Sequence, residues 1–393
     1  MKYDFDKVCD RKGTNSLKYD FAACRGKSES LIPLWVADMD FPAPEEVLSA
    51  LRKKAEHGMF GYSEPDEKYF STLHGWFLSR HGWETKPEKF VLTCGVVFSI
   101  CTLIRALTNE GDAVIICQPV YYPFEESIKL NNRKLVISKL KNKDGYYTID
   151  FDDFETKITE NSAKAFILCN PHNPVGRVWT AEELARLGDI CLKHGVFVIS
   201  DEIHSDFVYG GNKHTVFSTV KKEFEKISAI CTAPTKTYNL AGLHIANTYI
   251  ENDDVRAKFV TELDKQGYSQ PNIMGLVACQ AAYAYGAEWL EELKRYLTRN
   301  LQLVREYAAT TLGGITLVEP QGTYLVWLDC RALKLSDEQL AALFERDAKL
   351  WVDDGFIFGE GGSGFERINI ACPRSVLKLA LDNLSAAVRR AEK

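Results

Sequence analysis

"KAFILCNPHNPVGRVWTAEELARLGDICLKHGVFVISDE", residues 164 to 202, contains the pattern that decides the fold. An apolar run stands at each end of this stretch, and each run has the length of a buried strand. Between them, a helix is predicted to begin at a capping box formed by Thr180 and Glu183 and to end at Gly195. A strand, a helix and a second strand in this order indicate a parallel βαβ unit.

The same alternation extends in both directions, from about residue 88 to residue 250. The short apolar runs are "KFVLTCG" (89–95), "AVIICQP" (113–119), "KAFILCNP" (164–171), "VFVISDE" (196–202) and "KISAICT" (226–232). Continuous apolar strands separated by helical patterns predict a mostly parallel sheet that helices cover on both faces. We therefore expect an α/β fold whose large domain covers residues 46–287.

The C-terminal part of the chain has a different pattern. A long helix is predicted to start near Glu288, followed by the strand "TYLVWLD", a helix capped by Ser336 and Gln339, the strand "RINIA" and a last helix. The first 45 residues are irregular, and we expect them to pack with this part. Residues 1–45 and 288–393 are therefore predicted to form a smaller α+β domain.

Composition excludes several classes of protein. The chain has 393 residues, of which 46% are hydrophobic, and its net charge of −6 argues against nucleic acid as the main partner. No apolar run is long enough to span a membrane, and no early segment has the features of a signal peptide. The 11 cysteines are scattered without a CxxC pair or zinc-type spacing. We therefore expect reduced thiols, no metal site and a cytoplasmic protein.

Polar or glycine-containing residues stand at or just after the end of each apolar run. They are Cys94-Gly95, Tyr121-Tyr122, Asn173, Asp201 and Lys236. In an open α/β sheet, ligands bind at the carboxyl ends of the strands. The sequence therefore predicts that these side chains converge on one site.

The chemistry of this set suits one cofactor, pyridoxal phosphate. Lys236 can form an imine bond with its aldehyde, and Asp201 can hold the ring nitrogen protonated. Asn173 can donate to the phenolic oxygen, and Tyr121 can stack on the ring. Taken singly, Asp201 also fits a helix N-cap, Asn173 a turn, Tyr121 a core residue and Lys236 a surface lysine. Only their order, each at a strand end, favours the cofactor.

A phosphate cradle is predicted where "TCGVVFSICTLIRAL" changes from strand to helix. After Gly95, the backbone amides of Val96 and Val97 would open a helix and could hold a phosphate. The hydroxyls of Thr235 and Thr232 are further candidates for that phosphate. Ordinary helix capping explains the same residues without a ligand.

The whole pattern resembles the fold-type I pyridoxal-phosphate enzymes of the aspartate aminotransferase superfamily, across nearly the entire chain. The resemblance implies their fold, with Lys236 as the catalytic lysine that carries the cofactor. It implies that Arg367, in "FERINIACP", binds the α-carboxylate of the substrate through two parallel hydrogen bonds. It also implies that Tyr62, in "FGYSEP", reaches the cofactor phosphate of a neighbouring subunit, so that a homodimer shares its active sites.

Three stretches resemble the MalY/PatB-type C–S lyases, the cystathionine β-lyase branch. They are "LIPLWVADMDFPAPEEV" (31–47), "DEIHSDFVY" (201–209) and "APTKTYNLAGLHIAN" (233–247). The position of the first implies that Val36 and Ala37 lie over the substrate. His204 stands where many aminotransferases have a tyrosine that bonds the phenolic oxygen, and it is a candidate cofactor contact or a core histidine. His244 stands where many have an arginine that bonds the phosphate.

This branch implies α,β-elimination from L-cystathionine, and from L-cysteine, to pyruvate, ammonia and a thiol. Lys236 would remove the Cα proton, Asp201 would support electron withdrawal by the ring, and a sulfur group would leave Cβ. An aminotransferase of class I/II uses the same residues up to the loss of that proton, so it remains an alternative. A regulatory role through contact with another protein is the second alternative.

Overall fold

The computed structural model describes residues 3–391 of the chain. In that range the helices are α1 (Glu45–His57), α2 (Glu67–His81), α3 (Val96–Leu107), α4 (Pro123–Leu130), α5 (Phe151–Asn161), α6 (Ala181–His194), α7 (Pro234–Thr237), α8 (Asp253–Lys265), α9 (Ile273–Tyr285), α10 (Ala287–Thr310), α11 (Asp337–Ala342) and α12 (Arg374–Ala391). None of these helices has the length and apolar character needed to cross a membrane.

The strands over the same range are β1 (Ile32–Pro33), β2 (Phe90–Thr93), β3 (Ala113–Gln118), β4 (Lys134–Lys139), β5 (Lys141–Lys143), β6 (Tyr146–Thr148), β7 (Ala165–Cys169), β8 (Phe197–Asp201), β9 (Ser228–Thr232), β10 (Ala246–Ile250), β11 (Thr316–Val318), β12 (Leu325–Asp329), β13 (Leu350–Trp351), β14 (Asp353–Asp354) and β15 (Phe365–Asn369).

The central sheet has seven strands in the order β2-β10-β9-β8-β7-β3-β4. Only β10 runs antiparallel to its neighbours, so the predicted mostly parallel sheet is confirmed. Successive side chains of a strand point to opposite faces. In β3, Val114 and Ile116 join the apolar cluster on one face, and Ile115 joins the cluster on the other. The sheet is therefore buried on both faces, which explains why its strands are apolar throughout.

Capping residues in the sequence correctly predicted several of the helix boundaries. The capping box of Thr180 and Glu183 opens α6, and Gly195 ends it in the left-handed conformation. Ser336 and Gln339 form a second capping box at α11. The fifth apolar run begins later than expected: β9 starts at Ser228, because a 3₁₀ helix occupies the preceding residues and buries Phe224 in the core.

A second sheet lies in the C-terminal part, with four antiparallel strands in the order β11-β12-β15-β14. The N-terminal segment contacts this part, since β1 pairs with β13 and the Phe5 ring lies 5.7 Å from the ring of Trp289 in α10. These contacts agree with the packing expected for the first 45 residues. The two-domain division itself stays a prediction.

Candidate active site

The orientation of the Lys236 side chain is set by the strand that precedes it and by a hydrogen bond of the residue that follows it. One residue separates β9 from α7, the single-turn helix that carries Lys236. Pro234 stands at the start of this helix, where its fixed φ fits and its missing N–H costs nothing. The hydroxyl of Thr237 donates to Oδ2 of the buried Asp206 at 2.7 Å. The turn after β9 is therefore fixed on both sides of the lysine.

The Lys236 side chain is partly buried, and its amine lies in a cavity rather than on the outer surface. Its Nζ donates a hydrogen bond of 2.8 Å to the backbone carbonyl of Ala37. Burial lowers the pKa of Lys236 from 10.5 to about 8, although the carboxylates of Asp38 and Asp201 favour its charged form. A substantial fraction of this amine is therefore neutral at mildly alkaline pH, as a nucleophile or a base requires.

A cavity of about 220 Å³ surrounds this amine. It gathers most of the residues that the sequence predicted. The strand ends and the loops that follow them contribute Tyr121, Asn173 and Asp201; the single-turn helix α7 contributes Thr235 and Lys236; the start of α3 contributes Gly95, Val96 and Val97; and other loops contribute Ala37 and His204. Residues far apart in the sequence meet here because the carboxyl ends of parallel strands lie at one edge of the sheet.

Asp201 is a buried carboxylate at the end of β8. Its Oδ1 accepts a hydrogen bond of 3.1 Å from the amide of Ile203, which leaves Oδ2 for a second donor. Burial raises the pKa of Asp201 from 3.8 to about 7. A buried acid of this kind is stabilised by a cation or an N–H donor, and a protonated pyridine nitrogen supplies both.

The orientation of the Asn173 amide is fixed by Arg367. Nη1 of Arg367 donates to Oδ1 of Asn173 at 3.0 Å, so the amide nitrogen of Asn173 is the group left to donate. This agrees with the predicted donor to a phenolic oxygen. Arg367 is buried behind Asn173, and its Nη2 donates to the carbonyl of Trp35 and to the carboxylate of Asp353.

Asp353 was missed by the sequence analysis. It lies directly opposite Arg367 in the antiparallel pair of β14 and β15. A carboxylate held against the predicted substrate-binding arginine balances its charge before a substrate carboxylate arrives. No local pattern marks this pairing, because β14 has only two residues.

His204 lines the cavity as a neutral imidazole. Burial lowers the pKa of His204 to about 3. Among residues 3–391, its Nδ1 has no hydrogen-bond partner. Since buried polar atoms in proteins are almost always bonded, this orphaned nitrogen indicates that a polar ligand completes the site.

The start of α3 offers the predicted phosphate cradle. Gly95 is the N-cap and has no side chain that could bond the first amides of this helix. Those N–H groups, including the amides of Val96 and Val97, are left for an anion. Together with the lysine, the buried acid and the orphaned imidazole nitrogen, this donor set fits pyridoxal phosphate.

Four predicted residues lie outside the cavity lining, and one of them is Arg367, which is buried behind Asn173. The hydroxyl of Thr232 donates to the carbonyl of Asn247 at 3.0 Å, because Thr232 belongs to β9 and its side chain points along the sheet to β10. The carbonyl of Val36 accepts from Asn369 at 2.8 Å. Tyr62 is 97% exposed and lines a separate outer cavity.

His244 and Cys94 connect the two cavities. Both residues line the inner cavity and also the outer cavity that contains Tyr62. His244 has a φ of 49°, in the left-handed region. The sequence singled out His244 only as a replacement for an arginine, whereas the structure places it at the opening beside the start of α3.

Comparisons with known proteins find relatives that cover nearly the whole chain. The family model for aminotransferase class I and II matches residues 29–384. Cystathionine β-lyase PatB of Bacillus subtilis is 41% identical over 385 residues, which are 98% of this chain and 100% of that protein.

Solved structures of pyridoxal-phosphate-containing proteins have the same fold as this chain. Cystalysin from Treponema denticola, which contains a pyridoxal 5'-phosphate cofactor, is similar with a TM-score of 0.96 and 38% identity over 99% of this chain and 100% of that chain. The pyridoxal-phosphate-bound C–S lyase from Staphylococcus hominis has a TM-score of 0.92 and 33% identity, with 98% of both chains covered. The chain therefore belongs to the aminotransferase class I and II family of pyridoxal-phosphate-dependent enzymes, within the branch that includes the cystathionine β-lyases and C–S lyases.

Proposed function

We propose that this enzyme cleaves L-cystathionine, and also L-cysteine, by α,β-elimination. With L-cystathionine, one water is consumed, and the products are homocysteine, pyruvate and ammonia. The observation that supports this proposal most directly is the full-length similarity to a cystathionine β-lyase, at 41% identity. The residues of the cavity, together with Arg367 behind Asn173, would supply the groups that the reaction needs.

The substrate would be held at its α-carboxylate by Arg367. A guanidinium binds a carboxylate through two parallel hydrogen bonds, which fixes the orientation of the substrate as well as its position. Asn173 and the carbonyl of Trp35 already hold Arg367 in one orientation. The arginine is therefore preorganised, and little side-chain entropy is lost on binding.

Lys236 would act as the base at Cα. When bound, pyridoxal phosphate supplies an aldehyde that bonds amines and a ring that withdraws electrons from Cα. The pKa of Lys236, lowered by burial to about 8, suits an amine that takes a proton and releases it again near neutral pH. Asp201 would hold the ring nitrogen, His204 would make a further contact to the cofactor, and the amides after Gly95 would hold its phosphate.

Product analysis without an added keto acid tests this function. Purified enzyme loaded with pyridoxal phosphate is given L-cystathionine, L-cysteine or L-aspartate. We expect pyruvate with homocysteine from the first, pyruvate with sulfide from the second, and no turnover of the third. If amino donors instead react only when a keto acid is present, the enzyme is an aminotransferase and the lyase proposal is wrong.

We also propose that the enzyme is a homodimer that shares its active sites. Met59, Phe60 and Tyr62 form a short, strongly exposed apolar segment. Exposed apolar groups that lie close together are typical of a contact surface between proteins. The outer cavity that Tyr62 lines is joined to the cofactor cavity at Cys94 and His244, so a neighbouring subunit could reach the phosphate from there.

A reducing compartment such as the cytoplasm is the proposed location. All 11 cysteines are free thiols, and seven of them are buried. Burial raises the pKa of several of these thiols well above the usual value, including Cys169 and Cys231 beside the active site. Such thiols are poorly reactive, and they act as small apolar side chains in the core.

A further inference from the structure

Residues 35–41, "WVADMDF", contact two cationic side chains of the site, Arg367 and Lys236. The carbonyl of Trp35 accepts from Nη2 of Arg367 at 2.8 Å. The carbonyl of Ala37 accepts from Nζ of Lys236, also at 2.8 Å. Two carbonyls of one short segment thus hold the predicted substrate-binding group and the predicted base. The position of this backbone therefore affects where both groups lie.

Arg11 and Lys18 hold this segment through two of its own carboxylates, Asp38 and Asp40. Arg11 spans two carboxylates, since its Nη2 lies 2.7 Å from Oδ2 of Asp38 and its Nη1 lies 2.9 Å from Oδ1 of Asp40. Nζ of Lys18 lies 2.7 Å from Oδ2 of Asp40, and the Lys18 side chain is fully buried. Two positive and two negative charges are thus balanced within one cluster, as burial of charges requires.

Further hydrogen bonds attach the backbone of this segment to its surroundings. Lys18 donates to the carbonyl of Asp38 at 3.0 Å, and Arg11 donates to the carbonyl of Met39 at 3.0 Å. Asn239, three residues after Lys236, bonds both the amide and the carbonyl of Met39. Arg11 and Lys18 therefore connect the early part of the chain to the turn that carries Lys236.

We propose that Arg11 and Lys18 are positioning residues of this enzyme, which hold residues 35–41 through Asp38 and Asp40 so that the carbonyl of Ala37 meets the amine of Lys236. Arg11 has a second effect, because it neutralises Asp38, the carboxylate of this segment whose field reaches Lys236. The inference rests on the proposed role of Lys236. It does not depend on whether the enzyme is a lyase or an aminotransferase.

The groups that face Lys236 are few. Asp38 approaches from residues 35–41, Asp201 from the end of β8, and Arg367 from β15. His204 also faces it and is neutral, and the hydroxyl of Tyr324 shares the carbonyl of Ala37 at 3.3 Å. Without Arg11, the Asp38 carboxylate would lose its ion-pair partner, and its field would favour the charged form of Lys236.

The test measures the amine of Lys236 in the full-length protein without cofactor or substrate. Limited acetylation with acetic anhydride over a range of pH, followed by peptide mass spectrometry, gives the pH at which Lys236 is half reactive. For Arg11→Met we expect this midpoint to rise by about half a pH unit. At a fixed pH below the midpoint, acetylation of Lys236 should therefore be about threefold slower than in the wild-type protein. For Asp38→Asn we expect a shift in the opposite direction. Uptake of pyridoxal phosphate, followed by its absorbance, should slow in Arg11→Met as well.

Two controls separate positioning from general stability. Arg11→Lys keeps the charge and should restore the wild-type midpoint. Lys27→Met removes another ion pair of the N-terminal region, the one with Glu345, and should leave the midpoint unchanged. An unchanged midpoint in Arg11→Met, with only a lower melting temperature, would overturn the proposal. If Arg11→Met does not fold, Asp38→Asn decides: a lower midpoint supports the proposal, and an unchanged one refutes it. Failure to form pyruvate would count against the proposed function alone.

Discussion

Lys236 and Asp201 are both driven towards their neutral forms by burial. The pKa of the lysine falls to about 8, and that of the aspartic acid rises to about 7. For each group, desolvation is the largest cause and exceeds the attraction between the two charges. The site is therefore costly to the folded protein on its own, and a bound ligand with a cationic nitrogen relieves that cost at Asp201.

Replacing the lysine tests which side chain carries the cofactor. Lys236→Ala should abolish the visible absorption of the lysine-bound cofactor, because no other amine lines the described part of the cavity. In the wild-type protein, borohydride reduction and digestion should leave the cofactor on the peptide that contains residue 236. Lys68→Ala, at an exposed position of α2, is the control and should keep the absorption. Label on a different lysine would contradict the assignment.

The pH dependence of stability tests the buried acid. Because the pKa of Asp201 is higher in the folded than in the unfolded state, the folded protein binds the extra proton between pH 3.8 and about 7. The free energy of unfolding should therefore fall as pH rises through this window and level off above it. Each pKa unit corresponds to about 1.36 kcal/mol, so the total is on the order of 4 kcal/mol.

The measurement compares the cofactor-free wild-type protein with Asp201→Asn by urea unfolding at several pH values. Asparagine keeps the shape of the side chain but does not titrate. The difference in unfolding free energy between the two proteins should change in the stated direction over that window. Parallel curves for the two proteins would mean that Asp201 is not perturbed as described.

At the scale of elements, α6 packs closely enough on the core to require a glycine. A Cβ added to Gly188 would overlap Cε2 and Cζ of Phe224. The Phe224 ring cannot move away easily, because it is stacked on Phe217 with a centroid distance of 5.1 Å. Close packing of this kind lets α6 cover strand β8, whose end carries Asp201.

Gly188→Ala should therefore destabilise the protein by about 1–3 kcal/mol, since overpacking exceeds the gain in helix propensity. Gly75→Ala in α2 is the matched control. Nothing lies within 4 Å of a Cβ at that glycine. There, alanine should stabilise the helix by roughly 0.5–1 kcal/mol. Urea unfolding of both variants shows whether each substitution raises or lowers the free energy of unfolding. A stabilising effect of Gly188→Ala would contradict the packing argument.

At the scale of the whole molecule, the shared active site is testable by mixing subunits. A heterodimer of Tyr62→Phe and Lys236→Ala subunits contains one site with both native residues if Tyr62 serves the neighbouring subunit. We expect the mixture to regain activity above the mean of the two separate variants. Light scattering should give the mass of a dimer.

Two results would contradict a shared site. If Tyr62 acted within its own subunit, each site of the heterodimer would lack one residue, and mixing would restore nothing. A monomer with full activity would remove the proposal of a shared site altogether.

Much of the fold and of the site could be predicted because the deciding patterns are local. The apolar runs and capping residues mark the strands and helices wherever the sheet is buried, and the direction of parallel strands places their carboxyl ends together. Asn173, Asp201 and Lys236 each stand at or just after the end of such a run, so their convergence was expected. The phosphate cradle after Gly95 was expected for the same reason.

What the sequence by itself determined is therefore the α/β architecture, the set of residues at its strand ends and the cofactor that they suit. Only the tertiary structure decided that the carbonyl of Ala37 holds Lys236, a contact between residues 199 positions apart. It also paired Arg367 with Asp353 and turned the hydroxyl of Thr232 towards Asn247. These contacts join irregular segments or neighbouring strands, where no periodic pattern encodes the partner. Their geometry follows from the packing of the whole chain.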